Sequence, residues 1–362
     1  MNSRFHPLKI SSIHPDTAQA VVVNFEVPEH LEHEFRFIQG QYLTLRKEID
    51  GSEVRRSYSI CAGLDDGQLR VGVKHVDGGI FSTWAHQELK AGDTIEVMPP
   101  QGNFYSELDP ERERWYMCIC AGSGITPVLS IVKTVLSREP KSHVTLLYGN
   151  QRTATMMFRN ELAFLKNRYM ERLHWINIFS REPQESDLFT GHLDNRKGGK
   201  LNKGLINIRE HDEFFLCGPE AMISEVSRGL RGEGIEEEHL HYELFGSSAE
   251  DARKAVEKHH ARAREHKGLV SEVSVISNGR EYRFELSADG GNILDAGIEY
   301  GIDLPFSCKG GVCATCKAKL VEGEVDMDRN QALQPEEIEQ GFILTCQSHP
   351  ITDRVVVDYD QL

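Results

Sequence analysis

The sequence has no long hydrophobic run and no excess of positive charge. None of its 362 residues falls in an apolar stretch of about 18 residues, the length that a membrane-spanning helix needs. The N-terminus likewise lacks the apolar core of a signal peptide. Acidic residues outnumber basic ones by 56 to 41, and the net charge of −15 argues against nucleic acid and against an anionic membrane as partners. These features predict a cytoplasmic protein that binds neither.

The eight cysteines do not suggest a disulfide framework. Cys61, Cys118, Cys120 and Cys217 stand in apolar surroundings, as the reduced cysteines of a cytosolic protein do. The other four are concentrated in the last sixty residues, and their spacing calls for a different explanation.

Those four cysteines are Cys308, Cys313, Cys316 and Cys346, spaced C-x4-C-x2-C with a distant fourth member. This spacing is typical of the thiolate ligands of a plant-type [2Fe-2S] cluster. Glycines 310 and 311 would let the backbone wrap closely around such a cluster and point N–H groups at its sulfur atoms. Structural zinc is the alternative, but zinc sites favour two C-x2-C pairs and only one is present. The segment therefore predicts an iron–sulfur site that transfers one electron at a time.

The pattern of hydrophobic residues changes once within the first 246 residues. Residues 1–110 contain short alternating runs separated by Asp50-Gly51 and Asp66-Gly67, which predicts an antiparallel β-barrel. Residues 111–246 alternate strand-like and helix-like segments, among them a predicted helix from Met156 to Tyr169, and this alternation predicts a parallel α/β sheet.

Residues 247–267 are highly charged and short of bulky hydrophobic side chains, as expected of an interdomain linker. Residues 268–362 begin with a hairpin about Asn278-Gly279 and continue with a short amphipathic helix, which predicts a small mixed α/β sheet. This last domain has 17 acidic against 7 basic residues. The excess either serves solubility or steers a partner protein with a basic surface.

Two motifs in the first domain suit a flavin dinucleotide. Arg56-Ser57-Tyr58-Ser59 lies on a predicted strand and offers a guanidinium, a phenol ring and hydroxyls. Gly78-Gly79-Ile80-Phe81-Ser82-Thr83 opens a predicted helix, whose free N–H groups can bind phosphate. Either motif alone is weak evidence, and together they predict a flavin site.

Two motifs in the second domain suit a pyridine nucleotide. Ala121-Gly122-Ser123-Gly124-Ile125-Thr126-Pro127 joins a predicted strand to a helix, and so does Cys217-Gly218-Pro219. Both turns should line one crevice, because ligands of open parallel sheets bind at the carboxyl ends of the strands. The first turn lacks the third glycine of the usual dinucleotide fingerprint, so two ordinary strand-to-helix turns remain the alternative.

The four motifs occur in the order seen in the ferredoxin–NADP reductase superfamily, with a plant-type ferredoxin domain fused at the C-terminus. The resemblance implies the β-grasp fold for that last domain. The resemblance covers essentially the whole chain. Within the superfamily the sequence is most similar to the reductase subunits of ring-1,2-phenylacetyl-CoA epoxidases, the multicomponent monooxygenases of phenylacetate degradation. Four stretches carry this finer likeness, at residues 148–150, 156–158, 306–316 and 355–359.

The resemblance implies a role for each site residue. The FAD-binding residues would be Arg56, Ser57, Tyr58, Ser59, Gly78, Gly79, Phe81, Ser82 and Thr83. The nucleotide would contact Gly122, Ser123, Gly124, Thr126, Pro127, Arg152, Ser180, Arg181, Cys217, Gly218 and Pro219. Residues close to the reacting rings would be Tyr58, Ser59, Cys217, Glu243 and Phe245, with Phe245 similar to the aromatic residue that covers one flavin face in relatives.

The choice between NADPH and NADH depends on what meets the ribose 2′ position. A 2′-phosphate requires cations, whereas a 2′-hydroxyl favours an acidic acceptor. Arg152 follows one predicted strand and Arg181 ends another, which favours NADPH. Glu182, next in sequence, would suit NADH, so both nucleotides stay open.

The resemblance implies an electron-transfer reductase that takes electrons from NADPH through FAD to [2Fe-2S] and on to an oxygenase, with the phenylacetyl-CoA ring epoxidase as the favoured acceptor. The alternative acceptors are another mono- or dioxygenase or a hybrid-cluster protein, with NADH as a possible donor. A redox-sensing module is a different class of function. Two dinucleotide motifs argue against it, because a sensor needs no supply of hydride.

Overall fold

The computed structural model describes residues 5–245 and 249–361. The chain forms two compact units, one ending at Leu244 and the other beginning at Phe245. The first unit contains both the barrel and the parallel sheet expected from the sequence. The finer division at residue 110 and the domain boundary at 267 stay predictions.

An antiparallel sheet forms the first lobe of the N-terminal unit. Among the described residues its strands are β1 His6–Thr17, β2 Ala20–Glu26, β3 Tyr42–Ile49, β4 Ser52–Ser59, β5 Leu69–Lys74 and β6 Thr94–Val97, and helix α1 spans Ile80–Gln87. The sheet order is β4-β3-β6-β1-β2-β5. Ile60, just after β4, bridges Val71 of β5 and joins the two edges of the sheet. The predicted antiparallel barrel is confirmed.

Turn chemistry explains one hairpin of this barrel directly. Asp50 and Gly51 have φ values of 50° and 74°, and Ile49 pairs with Ser52 across them. A two-residue loop with both φ values positive is the type I′ turn that matches the twist of two paired strands. The Asp-Gly signal in the sequence therefore corresponds to the β3–β4 turn.

A parallel sheet forms the second lobe. Its elements are β7 Trp115–Ala121, α2 Ile125–Arg138, β8 His143–Asn150, α3 Arg159–Arg168, β9 Leu173–Phe179, α4 Asn195–Gly204, β10 Glu213–Cys217, α5 Glu220–Gly232 and β11 Leu240–Glu243. The strand order is β11-β10-β7-β8-β9, with every pairing parallel. Helices α2 and α3 contribute to the core on one face of the sheet, and α4 and α5 to the core on the other. The predicted parallel α/β sheet is confirmed.

Charged side chains join the two lobes within the N-terminal unit. Glu161 of α3 accepts from Arg70 of β5 and from Lys133 of α2, each at 2.5 Å, and Lys133 also contacts Asp66 at 2.5 Å. These side chains are largely shielded from water, so the network is less screened than a surface ion pair would be. The network holds α2, and with it the turn that precedes α2, against the barrel.

Helix α3 begins later than the predicted Met156, at Arg159. The residue before it, Phe158, has a φ of 57°, a left-handed conformation that a bulky residue adopts only under constraint. Its backbone N–H donates to Asp16 Oδ2 at 2.9 Å, and burial raises the pKa of the Asp16 carboxyl. A contact with a residue 142 positions away therefore sets the start of this helix.

The C-terminal unit is built on a mixed sheet. Its elements are α6 Ala249–Glu265, β12 Val270–Ser277, β13 Arg280–Ser287, α7 Ile293–Glu299, β14 Lys317–Glu322, β15 Val325–Met327, α8 Pro335–Glu339, β16 Phe342–Leu344, β17 Ser348–Pro350 and β18 Arg354–Asp358. The main sheet has the order β13-β12-β18-β14-β16, and β12 and β18 run parallel. Asn278 and Gly279, with φ values of 52° and 70°, form the expected β12–β13 turn. The predicted β-grasp ferredoxin domain matches this architecture.

Helix α6 occupies most of the segment predicted to be a linker. Its Arg262 is 3% exposed and binds Asp326 at 2.9 Å and Asp328 at 2.7 Å. Arg262 Nε also donates to the carbonyl of Ala288 at 3.2 Å, and Lys258 contacts Asp326 at 2.6 Å. The second half of this helix is thus fixed to the C-terminal unit by buried charge. Among the described residues, no helix is both long enough and apolar enough to cross a membrane.

Replacing Arg262 by Met should destabilise the C-terminal unit by about 3 kcal/mol, because two shielded carboxylates lose their cation. All three tryptophans, at positions 84, 115 and 175, lie in the N-terminal unit. Urea unfolding of the full chain should therefore show an earlier transition in circular dichroism and an unchanged transition in tryptophan fluorescence. R264M, on the exposed side of the same helix, is the control. Equal stability of R262M and R264M would contradict the expectation.

Candidate functional site

The end of strand β4 and the start of helix α1 form the first part of the candidate site. The Tyr58 and Phe81 rings lie 5.6 Å apart at 41°. Ser57 Oγ lies 3.2 Å from Thr44 Oγ1, so strand alternation directs Arg56 and Tyr58 to the other face of the sheet. Burial raises the pKa of the Tyr58 phenol, which stays protonated. The half-buried Tyr58 ring thus packs on the buried Phe81 ring, with the exposed Arg56 on the same face of the strand.

Ser59 is buried at the end of β4. The residue is 3% exposed, and its hydroxyl is buried without a hydrogen-bond partner in the structure. Most buried polar atoms in proteins are satisfied, and a ligand bound at the end of this strand would supply the missing partner. This hydroxyl can donate to a carbonyl oxygen or a ring nitrogen of a flavin, and it can accept from a flavin N–H.

The loop before α1 has no side-chain cap. Gly79 is the N-cap residue of the helix, and no side chain hydrogen-bonds the N–H groups of the first turn there. Gly78 has a φ of 74°, and a Cβ on Gly79 would stand 2.7 Å from Ser82 Oγ. Ser82 Oγ instead accepts from the Val76 N–H at 3.1 Å and closes the loop. Uncapped N–H groups at a helix start can bind an anion such as a pyrophosphate.

The two predicted nucleotide turns are in direct contact. Gly122–Gly124 forms a 3-10 turn before α2, and a Cβ on Gly124 would stand 2.1 Å from the carbonyl oxygen of Cys217. A Cβ on Gly218 would likewise meet the backbone nitrogen of Ala121 at 3.2 Å. Only residues without a side chain allow this approach. The two turns therefore meet at the carboxyl ends of adjacent strands, as the sequence predicted.

Hydrogen bonds stabilise the first of these turns. Thr126 Oγ1 donates to the carbonyl of Ser123 at 2.9 Å, and Pro127 occupies the first turn of α2. Tyr148 Oη donates to the carbonyl of Gly122 at 3.0 Å from the neighbouring strand β8. The backbone of this turn is thus set before any ligand arrives.

Cys217 and Glu243 are register partners at the ends of β10 and β11. Burial raises the pKa of the Cys217 thiol well above its ordinary value, and the Glu243 charge adds to the effect. Burial also raises the pKa of the Glu243 carboxyl to about 8. Near neutral pH both groups are mostly uncharged and can lie against a neutral nicotinamide ring.

Lys74 is a further candidate for contact with the nucleotide, and sequence reasoning missed it. It ends β5 in the first lobe, and a Cβ on Gly122 would stand 3.5 Å from its Nζ. Burial lowers the pKa of the Lys74 ammonium. No local motif marks this lysine, because the lobes bring together positions that are 48 residues apart in sequence.

The loops after β8 and β9 hold the residues predicted to read the ribose. Arg152 and Arg181 are exposed, and the N–H groups of Ser180 and Arg181 donate to the carbonyls of Asn150 and Gln151, both at 2.9 Å. The structure therefore brings the two arginine-bearing loops together. The acidic neighbour Glu182 is engaged, since its carboxylate accepts from Thr153 N at 2.8 Å and from Thr153 Oγ1 at 2.6 Å.

The four predicted ligand cysteines lie in the C-terminal unit and form two sulfur pairs. The Cys313 thiol and the backbone N–H of Gly310, 3.3 Å away, both hydrogen-bond the sulfur of Cys308. The first of these bonds is the larger cause of the lowered pKa of the Cys308 thiol. Cys316 pairs in the same way with Cys346. Cys313, Cys316 and Cys346 are 2–9% exposed.

Two pairs suit two metal ions better than one. Among the described residues, Glu236, Glu238 and His239 bring three candidate ligand atoms within 4.8 Å of one another, at the surface. No three of the four cysteine sulfurs lie that close together. A single tetrahedral zinc, with Zn–S bonds of about 2.3 Å, would hold all four sulfurs about 3.8 Å apart. Two bridged irons need one sulfur pair each. The donor set therefore fits a [2Fe-2S] cluster.

Comparisons with known proteins find three domains that correspond to these parts of the chain. Residues 8–105 match an oxidoreductase FAD-binding domain, residues 118–228 an oxidoreductase NAD-binding domain and residues 275–350 a 2Fe-2S iron-sulfur cluster binding domain. A subunit of 1,2-phenylacetyl-CoA epoxidase from Escherichia coli (strain K12) is 42% identical over 98% of both chains. The chain belongs to the oxidoreductase family that combines FAD-binding, NAD-binding and 2Fe-2S domains.

Other relatives of this oxidoreductase share its full length. The ferredoxin reductase component of 3-ketosteroid-9-alpha-monooxygenase from Mycolicibacterium smegmatis is 32% identical over 100% of this chain and 99% of its own. Phthalate dioxygenase reductase has the same fold, with a TM-score of 0.59, 23% identity and 98% coverage of both chains. The oxidoreductase therefore uses FAD, a pyridine nucleotide and a [2Fe-2S] cluster.

Replacing Gly124 by Ala should destabilise the N-terminal unit of the oxidoreductase by about 1–3 kcal/mol, because the new methyl group overlaps the Cys217 carbonyl. The control is G198A in α4, where a Cβ meets nothing within 4 Å and helix propensity predicts a gain of up to about 1 kcal/mol. Urea unfolding followed by tryptophan fluorescence measures both. If G124A unfolded no earlier than the wild type, the close contact between the turns would be wrong.

Proposed function

We propose that the chain is the reductase component of a phenylacetyl-CoA ring epoxidase, acting in the cytoplasm. It takes hydride from NADPH and delivers single electrons to the oxygenase component. The observation that carries this proposal is the 42% identity, over 98% of both chains, to a subunit of the Escherichia coli epoxidase.

The first lobe would hold FAD. Arg56 would pair with the pyrophosphate, the Tyr58 ring would lie against the flavin, and Ser59 would donate to the flavin ring through its unpaired hydroxyl. The start of α1, with Gly78, Gly79, Phe81, Ser82 and Thr83, would bind the pyrophosphate from the other side. When bound, the flavin supplies the conversion between hydride and single electrons.

The crevice between the two turns would hold the nucleotide. Gly122, Ser123, Gly124, Thr126 and Pro127 would approach its diphosphate, and the Lys74 ammonium beside Gly122 would neutralise the charge. Gly218 and Pro219 would line the other side, with Cys217 and Glu243 beside the nicotinamide. Exposed Phe245 belongs to the other unit, so its predicted place over the flavin stays a prediction.

The second unit would bind the [2Fe-2S] cluster through Cys308, Cys313, Cys316 and Cys346. The pairing of their sulfurs supports one pair for each iron. The protein's part there is to hold the thiolates, supply N–H donors such as that of Gly310 and exclude water.

NADPH is the proposed donor because Glu182, the acidic residue that would favour NADH, already accepts hydrogen bonds from the protein. Both carboxylate oxygens of Glu182 accept hydrogen bonds from Thr153, which leaves the carboxylate poorly placed to bind a ribose 2′-hydroxyl. Arg152 and Arg181 are exposed on adjoining loops and can reach a 2′-phosphate together. Ser180 would add a hydroxyl donor.

Another oxygenase as acceptor is the second candidate, favoured by the full-length likeness to a 3-ketosteroid monooxygenase component. The deciding experiment is epoxidation of phenylacetyl-CoA by the oxygenase subunits, with and without this chain and NADPH. Turnover that depends on the chain supports the proposal. Unchanged turnover, with cytochrome c reduction intact, would assign it to another acceptor.

Changing Arg152 and Arg181 to Ala together should lower kcat/KM for NADPH by about 100-fold, because two cations near a phosphate are lost. The value for NADH should change less than about threefold. R159A, an exposed arginine at the start of α3, is the control. Steady-state reduction of cytochrome c measures all of these, and an equal loss with both nucleotides would argue against a role in specificity.

Changing Ser59 to Ala should weaken FAD binding by about tenfold, the value of one hydrogen bond in a buried site. The free protein should be no less stable, because the variant removes a buried hydroxyl without a partner. Calorimetric titration of the deflavinated chain with FAD measures the affinity, and S52A at the exposed end of the same strand is the control. Wild-type affinity in S59A would exclude this residue as a flavin ligand.

A further inference from the structure

Gln347 follows the last cysteine ligand and contacts both parts of the sequence that carry the ligands. Its side-chain Nε2 lies 2.9 Å from the carbonyl oxygen of Lys309, in the loop between Cys308 and Cys313. The same nitrogen lies 2.8 Å from the carbonyl oxygen and 3.6 Å from the sulfur of Cys346. One amide therefore bridges positions that are 38 residues apart.

The loop is shaped to receive this side chain. Gly311 has a φ of 73°, and a Cβ there would stand 3.1 Å from Gln347 Cγ and 3.0 Å from the carbonyl oxygen of Arg329. The backbone N–H of Gly311 also hydrogen-bonds the sulfur of Cys346. Loop and side chain thus fit closely, and two N–H donors converge on one sulfur.

The backbone of Gln347 is itself fixed. Its N–H donates to the carbonyl of Leu344 at 2.8 Å, and its carbonyl accepts from the N–H of Asp328 at 2.8 Å. The next residue, Ser348, pairs with Met327 in the small β15–β17 sheet. The side-chain amide is therefore presented from a rigid segment and does not need to be ordered by the cluster.

We propose that Gln347 is a positioning residue that joins the two halves of the cluster site and raises the reduction potential of the cluster. The inference rests on the proposed ligation by the four cysteines. Reduction adds negative charge to the cluster, and a hydrogen bond to a ligating sulfur stabilises that charge more in the reduced state. The bridge to Lys309 holds the amide nitrogen near the Cys346 sulfur.

Anaerobic redox titration of the full chain with its FAD, followed by the EPR signal of the reduced cluster, tests the inference. The variants are Q347L, which removes the donor at similar size, and Q347E, which replaces it with an acceptor. Gln340 at the exposed end of α8 supplies the matched control, Q340L. Iron and sulfide analysis establishes cluster content in each protein before titration.

Both Gln347 variants should lower the equilibrium constant for cluster reduction by about threefold to tenfold. A tenfold decrease corresponds to a reduction potential that is lower by about 59 mV for one electron. Q340L should match the wild type. A fully loaded Q347L with the wild-type potential and EPR line shape would overturn the inference. Loss of iron from both Gln347 variants, with Q340L loaded, would support the bridging role. If the wild-type chain itself contained no cluster, the proposed ligation by the four cysteines would be overturned instead.

Discussion

The close approach of Gly124 to the carbonyl of Cys217 is the constraint on which the nucleotide crevice depends. A Cβ at this glycine would stand 2.1 Å from that oxygen, so the two strand-to-helix turns can meet only through bare backbone. Their contact places Cys217 next to the turn that opens α2, at the carboxyl end of the sheet. The ion pairs of Glu161 with Arg70 and Lys133 then hold α2 against the barrel. Packing within the sheet and charge between the lobes thus fix the same turn.

Two polar groups affected by burial lie where the sequence predicts ligands. The Ser59 hydroxyl has no hydrogen-bond partner among the described residues, which costs about 1–3 kcal/mol unless a ligand supplies one. Burial also affects Glu243: it raises the pKa of the carboxyl group to about 8, so the group is mostly protonated near neutral pH. A flavin and a nicotinamide are large and mostly flat. The proposed sites place these two uncharged groups beside such rings.

Local sequence patterns predicted the barrel, the parallel sheet and the Asn278-Gly279 hairpin, because each depends mainly on neighbours within a few residues. Long-range contacts could not be predicted. Lys74 reaches Gly122 only after the lobes assemble, and Arg262 finds its acidic partners 64 and 66 residues later. Helix α4 has weak local propensity because of Gly198 and Gly199. It is held instead by Asp194, which accepts from the Lys197 N–H at 2.6 Å.

The charged segment after Leu244 contains a buried residue that composition alone does not reveal. Its many charges and few hydrophobic residues are typical of a solvated linker, yet Arg262 is nearly fully buried. A guanidinium can be buried when every face has an acceptor, and two carboxylates and the Ala288 carbonyl provide them. Asp328 also accepts from His349 and donates its N–H to the Gln347 carbonyl. The helix is therefore linked, through two residues, to the segment that presents Cys346, so its attachment and the geometry of the cluster site are parts of one structure.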